Sequence, residues 1–173
     1  MRNSQSQGNI KIFFLLTTTT LTLYLPILVN PLILLNRGND LQEFHWPIFY
    51  FIKQSIYKYV EIPLWNNLYL SGTPLISDPE SGIFYLPNII FLIFPIDSAF
   101  MISILLHAIF GGTTMYILAR RGFNLTTLAS IFTAAAYIMW PRVAGYIEAG
   151  HFGFVTLSAW LPLAILSTLQ LSK

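Results

Sequence analysis

Long apolar stretches separated by short polar segments run through the whole chain. Residues 12–35, 98–119, 125–141 and 154–172 contain no Asp, Glu, Lys or Arg. An α-helix rises about 1.5 Å per residue, so stretches of this length are able to cross a hydrocarbon core of about 30 Å, with residues 125–141 at the lower limit. The pattern predicts an all-α fold: a polytopic transmembrane helical bundle that forms one membrane domain over residues 1–173.

A few residues inside these stretches predict local features. Pro26 and the Asn30-Pro31 pair should kink or fray the outer end of the first helix, because proline lacks a helical N–H donor and disfavours helix at the residue before it. The Gly111-Gly112 pair should permit close helix packing in the second.

The segment between the first two spans, residues 36–97, is too long and too aromatic to be a simple connector. Apolar side chains recur at helical spacing opposite polar ones over residues 47–60, which predicts an interfacial helix. Residues 83–96 are apolar but too few to cross a bilayer, so we expect a second helix at the interface. The sequence therefore predicts a long loop that contains interfacial helices.

The composition agrees with a membrane protein. Hydrophobic residues make up 55% of the chain and charged residues only 9%, whereas a soluble domain carries about a quarter charged residues. This balance excludes a soluble enzyme, a nucleic-acid-binding protein and a disordered tail, and the net charge of +2 indicates no polyanionic partner. The absence of cysteine excludes a disulfide framework and a zinc–thiolate site.

The distribution of charge predicts the orientation of the bundle. Short segments rich in Lys and Arg remain cytoplasmic, and one side of the predicted bundle collects Arg2, Lys11, Arg120, Arg121 and Lys173. All seven acidic residues fall on the other side. We therefore expect both termini in the cytoplasm and residues 36–97 outside.

Several short runs together resemble bacterial YfhO-type membrane proteins, which are similar to the GT-C glycosyltransferases. The runs are GND at 38–40, FIK at 51–53, PLWN at 63–66, SGTPL at 71–75, DPESGIFY at 78–85, MYILARR at 115–121, GH at 150–151 and AWLPL at 159–163. Their order and spacing carry the resemblance, which covers most of the chain.

The resemblance implies a multi-span enzyme of the bacterial inner membrane. It implies a sugar taken from a polyprenyl-phosphate donor on the outer face, with a catalytic acidic residue in the first outer loop, where Asp40 stands. Membrane lipid and the lipid-linked sugar donor are the implied partners. Because the family has many more spans than four, the resemblance also implies an N-terminal part of a longer enzyme.

Asp40 and Glu43 are the candidate catalytic residues. Asp40 follows the first span directly, and Glu43 would share its face if this segment is helical. A carboxylate here could act as the general base that activates an acceptor hydroxyl. Asp-x-x-Glu is also a helix-capping pattern, and that alternative stays open.

Asp78 and Glu80 are candidate metal ligands. Two carboxylates separated by one residue could bind one hard divalent cation such as Mg²⁺ or Mn²⁺. The alternative is a turn in which Asp78 accepts a hydrogen bond from its own backbone, because Asp-Pro-Glu-Ser-Gly is typical of turns.

Arg142 and His151 are the candidate substrate-binding residues. Arg142 could hold a lipid-linked phosphate through its paired donors, or it could contact a lipid headgroup. His151 could join Asp40 in one site, or it could simply form hydrogen bonds at the interface. His107 lies inside the second span, where an ionisable residue is a functional candidate, but we favour a neutral imidazole that bonds the backbone or a Ser/Thr hydroxyl of a neighbouring helix.

A second function class also fits the sequence. In a non-catalytic membrane assembly or transport component, the aromatic outer loop would dock a partner or lipid, and its acids would only solvate it. The chain shows no intramembrane acidic residue of the kind that transporters use, which weakens the transport version.

Overall fold

The computed structural model describes residues 2–68 and 71–171. These residues form an all-α fold with one short antiparallel ladder, in which Trp65 pairs with Pro74 and Asn66 with Thr73. The α-helices are α1 (Arg2–Leu23), α2 (Leu25–Val29), α3 (Trp46–Tyr59), α4 (Ile90–Ile93), α5 (Ile96–Ile117), α6 (Thr127–Ile138), α7 (Pro141–Ala149) and α8 (Phe152–Leu171). The strands are β1 (Trp65–Asn66) and β2 (Thr73–Pro74).

Shorter helical turns fill several of the connections. Segments Pro31–Leu34, Pro79–Ser81 and Leu86–Ile89 are 3₁₀ turns. Segments Leu41–His45 and Leu118–Gly122 are π-helical turns that run directly into or out of a long helix. Such π turns are rare and are frequently found at functional sites.

Within residues 2–68 and 71–171, two helical segments are long and apolar enough to cross a membrane. They are Ile96–Gly122 and Phe152–Leu171, which correspond to the predicted spans 98–119 and 154–172. Ser172, at which the last prediction ends, and Lys173 lie outside the described residues. Of the other two predicted spans, the first contains only a shorter apolar helix, Ile10–Leu23, and the third contains α6, which has 12 residues.

The first predicted span, residues 12–35, is broken near its outer end. Helix α1 ends at Leu23, and α2 is a five-residue helix with Pro26 in its first turn. Asn30 then leaves helical geometry, and Pro31 opens a 3₁₀ turn. The predicted effect of these prolines is therefore confirmed.

The segment over residues 36–97, which we call the outer segment after its predicted position, agrees with the sequence prediction in one half only. The predicted helix over residues 47–60 is present as α3, which ends where Val60 adopts a left-handed conformation with φ 56°. The predicted helix over residues 83–96 is wrong. Instead, Pro87 lies in the first turn of the 3₁₀ segment Leu86–Ile89, and the α4 that follows has four residues and ends before Pro95. Neither proline has an N–H that could continue a helix through this segment.

Helix α5 is the centre of the packing. A Cβ atom added to Gly111 would lie 3.2 Å from the Cα of Ala159 in α8, and one added to Gly112 would lie 2.6 Å from the side chain of Ile138 in α6. The predicted close packing at the Gly111-Gly112 pair is therefore present, with a different neighbouring helix at each glycine.

Four phenylalanine rings join the outer segment to the long helices. Phe49 of α3 stacks on Phe91 of α4 with ring centroids 3.9 Å apart, and Phe91 contacts Phe100 of α5 at 4.8 Å. Phe152 of α8 contacts Phe100 at 5.2 Å. All four rings are at least 96% buried. We call this set, Phe49, Phe91, Phe100 and Phe152, the phenylalanine cluster.

Tyr137 compensates for a proline inside α8. Pro162 has no N–H, so the carbonyl of Ser158 loses its helical donor. The hydroxyl of Tyr137 in α6 donates to this carbonyl oxygen at 2.6 Å. The bond ties α6 to α8 and satisfies a polar group that would otherwise lie unpaired among apolar helices.

We predict that Tyr137→Phe lowers the free energy of unfolding by about 1 kcal/mol, because it leaves the Ser158 carbonyl without a donor. Pro162→Ala restores an N–H to that carbonyl, so Tyr137→Phe should cost clearly less in the Pro162→Ala background. A double-mutant cycle of unfolding in detergent measures the difference. Fully additive effects of the two substitutions would contradict this role of Tyr137.

Candidate functional site

A cleft of about 670 Å³ opens beside the phenylalanine cluster, at the end of the molecule where α8 begins. It lies between the π turn that precedes α3, the 3₁₀ turn at Pro79–Ser81 and the first turns of α8. We call it the Asp40 cleft, and its polar and aromatic lining includes Asp40, His45, Glu80, Tyr85, Asn88, His151 and Trp160.

Asp40 and His151 lie next to each other at the edge of this cleft. Nε2 of His151 lies 3.3 Å from Oδ2 of Asp40. The two residues are far apart in sequence, and each stands at the start of a helical segment. Both side chains remain partly exposed, so a bound molecule could reach the carboxylate and the imidazole together.

Gly150 allows the two segments to meet. Its φ of 81° lies in the left-handed region, and a Cβ atom here would overlap the backbone nitrogens of Asp40 and Leu41. Two further contacts join the same segments: Arg37 forms an ion pair with Glu148, and the Asn39 side chain donates to the Glu148 carbonyl at 3.1 Å. The position of Asp40 is therefore fixed by contacts on both sides.

His45 is buried in the wall of the cleft with an unsatisfied nitrogen. Its side chain is 3% exposed, and Nδ1 has no hydrogen-bond partner within the described structure. Burial lowers the pKa of His45 to about 4, although the nearby Asp40 and Asp78 carboxylates raise it in part. Asn88, also in the lining, has an unpaired buried Oδ1. Buried polar atoms are normally paired, so these two are exceptions within the wall of the cleft.

A chain of hydrogen bonds leads from the cleft into α5. Nδ1 of His107 lies 2.7 Å from the Ser103 carbonyl oxygen, which only accepts, so Nδ1 carries the hydrogen. The Tyr85 hydroxyl then donates to Nε2 of His107 at 2.6 Å, and its oxygen accepts from the Trp160 indole at 2.6 Å. Burial raises the pKa of the Tyr85 phenol, which keeps this hydroxyl protonated.

These hydrogen bonds bear on the prediction that His107 is a neutral imidazole. Its partners are the Ser103 carbonyl of its own helix and the Tyr85 hydroxyl from the outer segment. A neutral imidazole satisfies all of these bonds, as we favoured from the sequence, with a loop tyrosine in place of a neighbouring helix.

The structure brings together three of the six predicted site residues. Asp40, His151 and Glu80 all line the cleft. Glu43 is exposed on the π turn beside Gly38, outside the cleft lining. Arg142 lies on α7, where its Nε donates to the Tyr146 hydroxyl at 2.8 Å.

Asp78 forms the turn that the sequence offered as the alternative to a metal site. Oδ1 of Asp78 accepts from the Glu80 backbone N–H at 2.9 Å, which is the bond expected of the turn alternative, and only Glu80 lines the cleft. Among the residues that the structure describes, no group of three or more His, Asp or Glu side chains is arranged to hold a metal ion. The divalent cation at Asp78 and Glu80 stays a prediction.

Sequence reasoning missed several residues of the cleft. Tyr85 and Trp160 fall within the runs that carry the family resemblance, but nothing in their spacing shows that they meet. Asn88 lies in the segment that we predicted as a continuous helix. Outside the cleft lining, Arg37 has no local pattern that points to Glu148. These pairs are long-range contacts, and single-sequence periodicity reports only local structure.

Comparison of the chain with protein-family models, curated proteins and solved structures gave no match.

We predict that Gly150→Ala destabilises the fold by about 1–3 kcal/mol, because it combines a left-handed backbone with an overlap against the Asp40 segment. Gly145→Ala is the matched control. Gly145 lies within α7 with no atom within 4 Å of an added Cβ, so alanine there should be neutral or stabilise by up to about 1 kcal/mol. Thermal unfolding in detergent measures both, and equal effects would contradict the close approach at Gly150.

We predict that His45 makes stability depend on pH. Its pKa is about 4 in the folded chain and 6.5 when exposed, so between these values the unfolded state binds the extra proton and stability falls as the pH falls. The loss should approach about 3 kcal/mol between pH 6.5 and pH 4.

His45→Asn isolates this effect because asparagine does not titrate. Subtracting its unfolding free energy from that of the wild type at each pH cancels the contribution of the carboxylates. A difference that stays constant from pH 4 to pH 7 would show that His45 is not buried in the neutral form.

Proposed function

We propose that this chain is a membrane-embedded glycosyltransferase domain of GT-C type, with the Asp40 cleft as its sugar site. The observation that supports it best is the convergence of two carboxylates, two imidazoles and two hydrogen-bonding aromatic side chains in one cleft beside the start of α8. The cleft holds the acid that the family resemblance implies.

The charged residues at the two ends of the helices support the proposed membrane placement. Leu166 and Leu169 near the end of α8 contact Gly122 just after the arginine pair at the end of α5, and this end would face the cytoplasm by the distribution of Lys and Arg. The opposite end carries Asp40 and Asp97. Helix α1 would then also cross. Helix α6, which at 12 residues is too short to cross alone, would form the inner part of a further pass that continues through the α6–α7 break, to give four passes in a bacterial inner membrane.

A sugar suits the polar side chains that line the cleft. Each hydroxyl of a hexose both donates and accepts, so it could bond to the carboxylate and imidazole groups of the lining. Carboxylates such as Glu80 accept further hydroxyl hydrogens. The rings of Trp160 and Tyr85 offer flat apolar surfaces of the kind that line small-molecule sites.

In the proposed reaction, Asp40 is the general base. The acceptor hydroxyl loses its proton to the Asp40 carboxylate while its oxygen bonds to the anomeric carbon of the sugar. The bond between this carbon and the phosphate oxygen breaks, and the polyprenyl phosphate leaves with the electron pair. His151, paired with the other carboxylate oxygen, holds Asp40 in position and shares the charge.

A docking component of a membrane assembly is the second candidate. Phe84 and Leu86 in the outer segment are 74% and 80% exposed, and such side chains at a membrane surface suit a partner or lipid. In that case the Asp40 cleft would be a recognition site without chemistry.

We predict that Asp40→Asn lowers sugar transfer by about 100-fold or more, because asparagine accepts no proton. The donor should still bind within about threefold of the wild-type affinity, since the substitution keeps shape and hydrogen bonding. Loss of labelled hexose from a polyprenyl-phosphate donor, measured in membranes that supply the acceptor, reports transfer.

Glu61→Gln is the control, because Glu61 is an exposed acid just after α3. It removes one charge from the same segment and should leave transfer unchanged. Wild-type turnover in Asp40→Asn would contradict the catalytic assignment. Binding of the donor without any turnover by the wild type would instead favour the docking component.

A further inference from the structure

A second cleft lies at the opposite end of the helices, between α1, the end of α5 and the start of α6. Its volume is about 450 Å³. We call it the arginine cleft, and its lining includes Ile12, Phe13, Tyr116, Ile117, Arg120 and Arg121. It shares no residue with the Asp40 cleft.

The lining of the arginine cleft is divided into a charged end and an apolar wall. Arg120 and Arg121 are exposed, and no acidic residue stands among the lining residues described. Arg120 donates to the Leu125 carbonyl, which fixes its guanidinium beside the turn into α6. Phe13 is 46% exposed and continues the apolar wall along α1.

The start of α6 adds to the positive potential. Thr127, the first residue of this 12-residue helix, lines the cleft. The side chain of Thr126 accepts a hydrogen bond from the backbone N–H of Ala129. The other N–H groups at the start of a helix have no carbonyl partner within that helix. Helix N-termini favour anions, and here the helix end and the arginine pair converge on the same space.

We propose that the arginine cleft binds an anionic phospholipid of the cytoplasmic leaflet. The phosphodiester would pair with the guanidinium groups of Arg120 and Arg121, and one acyl chain would lie against Ile12 and Phe13. Charge complementarity selects the headgroup, and the apolar wall beside it selects an amphiphile over a soluble anion. The inference rests on the proposed membrane orientation but not on the proposed sugar transfer.

The first step of the test reports membrane insertion alone. The purified chain is reconstituted with phosphatidylcholine vesicles, and flotation shows whether it inserts. A folded chain that does not float would overturn the membrane orientation and this proposal with it. If the chain floats, insertion is established, and its preference for one lipid over another can then be measured on the inserted protein.

The second step measures lipid preference. Phosphatidylglycerol is titrated into the chain in neutral micelles, with the unfolding midpoint as the readout, and phosphatidylcholine is the reference lipid. Phosphatidylglycerol should raise the midpoint in a saturable way, and the effect should weaken as ionic strength increases. Equal effects of the two lipids would overturn the proposal.

Arg121→Gln tests the site itself, because no hydrogen bond to another side chain ties Arg121 into the described structure. We expect an apparent affinity for phosphatidylglycerol about five- to tenfold weaker, with partial recovery in Arg121→Lys. Lys58→Gln removes the same charge at the exposed end of α3 and should change nothing. An equal loss in both variants would indicate a general charge effect and overturn the site.

Soluble anions distinguish the source of the phosphate. Inorganic phosphate and glycerol phosphate should not compete with phosphatidylglycerol at comparable concentrations, because neither gains the contact with the apolar wall. Competition by either one at the affinity of the lipid would show a site for free phosphate and overturn the lipid assignment.

Discussion

The phenylalanine cluster is the contact on which the rest of the structure depends. Phe49, Phe91, Phe100 and Phe152 come from four different helices, and every pair among them lies within ring-contact distance. Such pairs contribute about 0.5–1.5 kcal/mol each beyond the burial of apolar area. The cluster draws the outer segment down onto α5 and α8. Phe49 and Phe152 also line the Asp40 cleft, so the packing that closes the fold shapes the site.

The two ends of the helices have different chemistry. At one end, acids and imidazoles meet in the Asp40 cleft, held by contacts between segments that are distant in sequence. At the other end, arginines and the start of α6 surround an apolar wall. Helix α5 connects the ends, and its glycine pair lets α6 and α8 pack closely against it. This asymmetry is the main structural support for the proposed orientation in the membrane.

The sequence predicted the elements whose signals are local. The apolar runs predicted α5 and α8, the helical spacing predicted α3, and Pro26 with Asn30-Pro31 predicted the broken end of the first span. The Asp40–His151 pair was foreseen only as a topological option, and the Tyr85–His107–Trp160 chain was not foreseen. Both depend on tertiary packing that periodicity does not report. The failed helix over residues 83–96 has a local cause, since hydropathy outweighed Pro87 and Pro95 in the prediction.

The most direct test of the account is the side of the membrane on which each cleft lies. The chain has no cysteine, so single cysteines can be introduced without background: Ser77→Cys in the exposed turn near the Asp40 cleft and Thr127→Cys at the arginine cleft. Labelling with a membrane-impermeant maleimide in intact bacterial cells should modify Ser77→Cys at once and Thr127→Cys only after permeabilisation. Immediate labelling of both positions, or of Thr127→Cys alone, would contradict the proposed orientation and the placement of the sugar site.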